Sequence, residues 1–395
     1  MDNRIGKKVL FLTTIDVTIY AFLIPHMKLL KDMGYEVEAA CSNVGFTERI
    51  EEEGFKVYNL PFSRNPFDIS NIQAVLRLYQ IMKANNYVML HTHTPVASFI
   101  GRIVAKIVGI PHIVYTAHGF HFHEYGSKIR NFIYFRLEKF AGRFTDVLIT
   151  INSDDYKIAL EKKMVPYRRV YYVKGVGVDT EEINPQKNQK EKSVVLEEIL
   201  NDRNFEGFMG TILVSVGRLE NEKYFDHIIK ALCIVKNAGK DFKCVIAGDG
   251  ALKNYLLNLS KKLGFKKYVF LTGYTKKVIE LLSVSDIFVF ASSREGLPVS
   301  VMEAMAIGKP VVAYNIRGVR DLVGDGVNGF LVPFGDIKGL ADKIIYLMEH
   351  PELAKEMGKT GRVKIEQDFS LKVILPQMEK LYRETLETEE KEFGR

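Results

Sequence analysis

The sequence predicts an α/β protein of two doubly wound, Rossmann-like domains, each a parallel sheet covered by helices on both faces. Three observations carry that prediction. Apolar runs of strand length alternate with segments of helical apolar spacing, the pattern of parallel strands joined by crossover helices. The alternation stops once, over 180–208, and then restarts. At 395 residues, with 47% hydrophobic and 26% charged residues, the chain can bury a core in each of two domains.

In chain order, "KVLFLTTI" (8–15) reads as a buried strand and "FLIPHMKLLKDMG" (22–34) as an amphipathic helix closed by Gly34. Strand "YEVEAACS" (35–42), helix "TERIEEEG" (47–54) and strand "KVYNLP" (56–61) follow. "NIQAVLRLYQIMKANN" (71–86) has helical spacing and leads into strand "YVMLHTHT" (87–94). Next come a helix (96–108), strand "HIVYTAHG" (112–119), a basic helix (128–142) and strand "DVLITIN" (146–152). A helix (153–163) and strand "VYYVKGVG" (170–177) close the first half.

"DTEEINPQKNQKEKS" (179–193) is polar, lacks periodicity and contains Pro185, so 181–208 reads as a linker between domains at 1–180 and 209–368. Strands "TILVSVG", "FKCVIAGDG", "YVFLTG", "DIFVFASS" and "KPVVAYN" then recur with helices between them. Residues 369–395 read as a charged C-terminal helix packing back toward the first domain, with a frayed end from Glu384 to Arg395.

Several classes are excluded. Cys41, Cys233 and Cys244 are scattered, so no disulfide framework is expected and a reducing cytoplasm is favoured. "KKVLFLTTIDV" (7–17) is too short in its apolar run for a signal peptide and has no cleavage site. The longest apolar candidate, 95–115, is interrupted by Arg102, Lys106 and Pro111, so no bilayer span is expected. Net charge is +7, and 126–174 concentrates eleven Lys and Arg against five Asp and Glu, which points to an anionic partner. Nucleic acid is not that partner, because zinc-finger spacing, RNP aromatics and basic-zipper heptads are all missing. In "KIRNFIYFRLEKFAGR" (128–143) aromatics interleave with Arg and Lys, which suits an anionic membrane surface; an ordinary amphipathic helix is the other reading.

Ligands of open α/β sheets bind beyond the carboxyl ends of the strands, and the chemistry-bearing residues fall there. "SSREGLPVSVMEAMAIGKPVVA" (292–313) carries Glu295 just before a helix and Glu303 inside it. Gly296 allows close backbone approach, and free amides at Gly296, Leu297 and Val299 make the helix start a phosphate site. The strand end "GRLENEK" (217–223) supplies Arg218 and Lys223 for a diphosphate. It is not a Walker loop, and "GDG" (248–250) does not complete a dinucleotide fingerprint. Asp16, His91, His93 and His118 end strands of the first half, and His121 and His123 follow. The His-x-His pairs could chelate zinc, but Glu124 is the only nearby carboxylate, and pocket lining or structural hydrogen bonding are the alternatives.

From "KKVLFLTT" through "GVGVD" (175–179) to "NGFLVP" (328–333), with Glu295 and Glu303 and the Gly217-Arg218…Lys223 stretch, the chain resembles the retaining glycosyltransferases of family 4. The resemblance implies the GT-B architecture, two Rossmann-like domains facing across a cleft, with an acceptor-binding first domain and a nucleotide-sugar-binding second. "YTAHGFHF" (115–122) further resembles the bacterial exopolysaccharide and capsule assembly members. Those transfer a sugar from a nucleotide donor to a polyprenyl-diphosphate-linked sugar at the cytoplasmic membrane face.

By that resemblance Glu295 binds donor-sugar hydroxyls with the amides of Gly296 and Leu297. Glu303 holds the ribose, and Arg218 and Lys223 hold the departing diphosphate. Gly217 and Gly273 line the donor side, and His118 approaches the donor sugar. Asp16, His91, His93 and His121 are acceptor-side candidates, and neither a metal nor another cofactor is expected. The chain departs from the family where "TTIDVT" (13–18) replaces a Gly pair, where Tyr224 replaces a Gly after the lysine, and where "RGVRD" (317–321) replaces Gly-Gly-x-x-Glu; Arg317 and Asp321 are additions there. A nucleotide-sugar 2-epimerase of the same architecture and a non-catalytic sugar-nucleotide-binding module are the competing readings.

Overall fold

The computed structural model describes residues 6–65, 68–165, 169–187, 191–200, 205 and 208–387. The chain divides into two units, Met1–Gly177 with Leu371–Arg395, and Val178–Ser370.

The first unit runs β1 (Lys8–Ile15), α1 (Asp16–Phe22), α2 (Ile24–Asp32), β2 (Glu36–Ser42), α3 (Thr47–Glu52), β3 (Lys56–Asn59), α4 (Ser70–Ala84), β4 (Tyr87–Thr92) and α5 (Pro95–Val108). It continues through β5 (His112–Ala117), α6 (Lys128–Ala141), β6 (Val147–Thr150), α7 (Ser153–Glu161) and β7 (Arg169–Tyr172). The seven strands lie in the order β3-β2-β1-β4-β5-β6-β7, all pairs parallel. Val9, Leu10, Phe11 and Leu12 are wholly buried because β1 is central and covered on both faces, which is why its sequence shows no alternation.

The second unit contains α8 (Lys192–Leu200), β8 (Thr211–Val216), α9 (Phe225–Asn237), β9 (Phe242–Ala247), α10 (Lys253–Lys262), β10 (Val269–Gly273), α11 (Val278–Val284) and β11 (Ile287–Phe290). Then follow α12 (Val299–Ala306), β12 (Val311–Tyr314), α13 (Val319–Leu322), β13 (Gly329–Val332), α14 (Ile337–Glu349) and α15 (Pro351–Asp368). Its six parallel strands are ordered β10-β9-β8-β11-β12-β13. The last helix, α16 (Leu371–Leu386), packs on α2 of the first unit.

These elements bear on three expectations. The helix read over 22–34 is α2, with Pro25 in its opening turn where its missing N–H costs no bond, and a separate helix, α1, precedes it from Asp16. The stretch 181–208, read as a linker, contains α8, whose Val195 and Leu196 are buried as it packs on α11 and β10. Arg362 further ties the carbonyl of Ile183 at 2.9 Å. The frayed end read from Glu384 falls largely on 388–395, outside the described residues; α16 itself is regular to Leu386.

Strand order reverses between β1 and β4 in the first unit and between β8 and β11 in the second. At such switch points the connections leave in opposite directions and open a crevice beyond the strand ends. The loops after β8 and β11 carry Arg218, Lys223 and Glu295; Asp16 opens α1 directly after β1, and His93 follows β4.

Candidate active site

In the second unit, two loops distant in sequence are laced together at the switch point. The Glu222 carbonyl accepts from the Ser293 amide at 2.9 Å and from the Ser292 hydroxyl at 3.0 Å. The Glu222 carboxylate pairs with Arg294 at 3.0 Å. These bonds set Lys223 against Glu295, Nζ to Oε1 at 2.5 Å, in a largely desolvated pair beside the Phe290 ring. Arg218 is not brought to them: its guanidinium is 56% exposed and pairs with Glu220 at 2.7 Å.

Glycines without obvious chemistry shape these loops. A Cβ on Gly248 would sit 1.9 Å from the Gly217 carbonyl oxygen, so "GDG" is a close-packing element beneath the loop of Arg218. A Cβ on Gly318 would lie 2.1 Å from the Gly296 oxygen, so the "RGVRD" loop is wedged against the backbone next to Glu295. Arg317 beside it is buried. Gly273 ends β10, and its carbonyl accepts from the Gly248 amide at 2.9 Å.

Helix α12 opens after Pro298, whose carbonyl takes the Val301 amide at 3.1 Å, while the amides of Val299 and Ser300 meet no preceding helical carbonyl. Val301, Met302 and Met305 are wholly buried and fix it to the sheet, each contributing about 1.5–3 kcal/mol. Glu303 lies half-buried on its other side with no side-chain partner among the described residues, and burial pushes its carboxyl up to about 7.

In the first unit, His91, His93 and His118 adjoin one another at the carboxyl ends of β4 and β5. Pairing of β1 with β4 sets Phe11 beside His91, their ring centroids 5.0 Å apart. His91 is 1% exposed; it bonds Thr116 Oγ1 at 2.8 Å and the Tyr382 hydroxyl at 3.0 Å. His93 is 2% exposed and meets His118. Both rings are packed behind the surface and hydrogen-bonded there, an arrangement that the structural alternative for His91 and His93 accounts for. His118 is half-buried, and burial with the neighbouring His26 pulls it down to about 4. His121 is partly exposed, its ring 5.4 Å from Tyr134.

Asp16 is packed against a loop of its own unit. It is wholly buried, and its Oδ2 accepts from the amides of Val44 and Phe46 at 3.0 and 2.8 Å and from the Thr47 hydroxyl at 3.1 Å. Through Oδ2 it anchors the β2–α3 loop, while its Oδ1 is buried with no hydrogen-bond partner among the described residues. Among the described residues no group of three or more His, Cys, Asp or Glu is placed to hold a metal ion.

Helix α6 carries apolar side chains on its outer face as well as on its inner one. Glu138 points inward, to Arg102 at 3.0 Å and the Tyr115 hydroxyl at 3.2 Å. Tyr134 and Phe135 pack against the core of Tyr115 and Phe120. Ile129, 74% exposed, and Phe132, 65% exposed, point outward with Ile133, Leu137 and Phe140. Among the described residues no helix is long and apolar enough to cross a membrane.

Sequence reasoning missed Glu222, Ser292, Ser293 and Arg294 as the clamps of the Lys223–Glu295 pair, and Gly318 as its backing. The adjacency of "RE" to Glu295 and of "NE" to Lys223 is a signal visible only once the two loops are known to meet.

Residues 199–364 match the family Glycosyl transferases group 1, and residues 8–152 match Glycosyl transferase 4-like. The chain is 32% identical to EpsD of Bacillus subtilis (strain 168) over 98% of its length and 99% of that protein. It is 30% identical, over 90% of each chain, to the UDP-Gal:alpha-D-GlcNAc-diphosphoundecaprenol alpha-1,3-galactosyltransferase of Escherichia coli. Anabaena Alr3699/HepE, solved in complex with UDP and glucose, is similar with a TM-score of 0.74 at 20% identity, over 97% of this chain and 100% of that one. Fold and likeness together define the class, a glycosyltransferase of the GT-B fold. The chain belongs to the group 1 glycosyl transferases.

Proposed function

We propose that this glycosyltransferase moves a hexose or N-acetylhexosamine, with retention, from a UDP-sugar to a polyprenyl-diphosphate-linked saccharide in surface polysaccharide assembly. The observation that carries the reading is the Lys223–Glu295 pair at the β8/β11 switch point, beside the open N-terminus of α12. Lys223 and those amides neutralise a diphosphate, with Arg218 turning from Glu220 to join them. Glu295 receives donor-sugar hydroxyls, and Glu303, lacking a partner, receives the ribose hydroxyls. The bond from the anomeric carbon to the diphosphate breaks as the acceptor oxygen bonds that carbon from the same face. The acceptor proton leaves to the departing phosphate oxygen. His118, with His121 near it, meets the sugar substrate on the first unit. The lipid-linked acceptor follows the likeness to the Escherichia coli galactosyltransferase, whose name states such an acceptor.

In this reading the exposed apolar row of α6, flanked by Lys128, Arg130, Arg136 and Lys139, rests on an anionic membrane surface, with the enzyme peripheral on the inner face of the cell membrane. Inward Glu138 and outward Phe132 support this, since water alone rewards the opposite arrangement.

The test incubates the protein with UDP- and GDP-sugars, with and without polyprenyl-diphosphate-linked monosaccharide, in EDTA, and measures nucleotide release. Acceptor-dependent release from a UDP-sugar is expected. Donor conversion without acceptor would replace this reading with the epimerase, and donor binding without any turnover with the binding module.

A further inference from the structure

Two imidazoles meet at the ends of adjacent strands, His93 after β4 and His118 after β5, with Nδ1 of His93 3.0 Å from Nε2 of His118. One of these nitrogens carries the shared proton, and the surroundings decide which. Nε2 of His93 is buried, with no hydrogen-bond partner among the described residues. The ring cannot turn to find one. It is stacked on Phe11 with centroids 5.6 Å apart and lies 4.2 Å from the His91 ring, which Thr116 and Tyr382 hold in turn.

If His118 donated, neutral His93 would have to carry its proton on Nε2, leaving a buried N–H without an acceptor. Orphaned buried donors are the rarer arrangement in folded proteins. If His93 donates, only a lone pair is left there. Burial keeps both rings neutral, so a doubly protonated ring does not resolve the choice.

We infer that His93 is a positioning residue: it donates Nδ1–H to Nε2 of His118 and so holds His118 as the Nδ1–H tautomer. This rests on the reading above that His118 meets the sugar substrate. Half-buried His118 then offers that substrate an N–H donor for a hydroxyl oxygen, and no free ring nitrogen to act as a base. The His-x-His spacing at 91–93 thereby acquires a role that metal binding does not supply.

The test is histidine-labelled 15N correlation spectroscopy of the substrate-free protein at neutral pH, with the His118 signals assigned by their loss in His118→Ala. A protonated Nδ1 on His118 is expected. An Nε2–H His118 in the native chain overturns the inference, whatever the variants do. His93→Asn, whose amide N–H stands near the place of Nδ1–H, retains the tautomer, and His93→Leu releases it. An unchanged His118 tautomer in His93→Leu overturns the inference as well.

In turnover, His93→Leu lowers kcat on the order of 10- to 100-fold with little change in donor KM, and His93→Asn recovers most of it. Equal loss in both overturns positioning through the donated hydrogen bond. A protonated Nδ1 together with normal turnover in His118→Ala supports the tautomer assignment and overturns only the sugar-contact reading.

Discussion

Nζ of Lys223 lies 2.5 Å from Oε1 of Glu295, although 72 positions separate them in sequence. The pair exists because the loops after β8 and β11 leave neighbouring strands and are laced through Glu222. If the two act as one unit on the donor, Glu295→Gln and Lys223→Ala each lower kcat on the order of 100-fold or more. The double variant falls little further, because neither partner works alone. Initial rates for the four proteins check this; independent, multiplying losses would sink it.

Glu303 is held near neutral pH by burial, its carboxyl at about 7. A ribose diol donates to the ionised form, so nucleotide binding expels a proton from part of the population. UDP affinity is therefore expected to rise from pH 6 to 8. Calorimetry in buffers of different ionisation enthalpy counts the protons, and Glu303→Gln should remove the release that the native chain shows beyond that of the nucleotide itself.

Tyr224 sits at φ 44°, left-handed backbone that disfavours a side chain and that glycine adopts without strain. Its ring compensates by packing on His227 and Phe334, at 4.8 and 5.1 Å between centroids. Tyr224→Ala loses the rings and keeps the strain; Tyr224→Gly loses both. The Gly variant is expected to be more stable than the Ala variant by about 1 kcal/mol in urea unfolding. Equal midpoints would show that the strain is not felt.

The buried histidines make stability depend on acid. His26, His91 and His93 are lowered by burial, and His118 is lowered to about 4 by burial and by His26. Unfolded histidine binds its proton near 6.5, so the unfolded chain holds more protons than the folded one below that value. Stability is fully present above about 6.5 and is lost as pH falls toward 4. Glu303, raised to about 7, acts in the opposite sense, losing stability as pH rises through 7. Urea midpoints between pH 7.5 and 5 should fall less steeply in His118→Asn than in the native chain.

The outward row of α6 can be emptied without touching the core. Phe132→Ser with Ile133→Ser is expected to leave unfolding free energy within about 0.5 kcal/mol. The same change should release the protein from vesicles containing anionic phospholipid, as should charge reversal at Arg130, Arg136 and Lys139. Unchanged sedimentation with vesicles would return α6 to an ordinary surface.

Much of the architecture was legible because it is local. A short run such as "KVLFLTTI", apolar at its centre and bounded by polar residues, reads as a strand covered on both faces, and β1 occupies those residues. Glu295 and Lys223 were legible as strand-end residues by the same logic. Helix α8 was not, because its low amphipathicity in a polar stretch leaves burial of Val195 and Leu196 to its neighbours.

The sequence alone determined which residues stand at strand ends, since strand and helix periodicity is a property of a few consecutive positions. Only the tertiary structure decided what those residues face. It turned Asp16 inward to hold a loop, buried His91 and His93 behind His118, left Arg218 on Glu220, and pointed Phe132 outward. A side chain's partner is set by which loops the sheet order brings together, and that order, β3-β2-β1-β4 in one unit and β9-β8-β11-β12 in the other, is a long-range property that no short window of sequence contains.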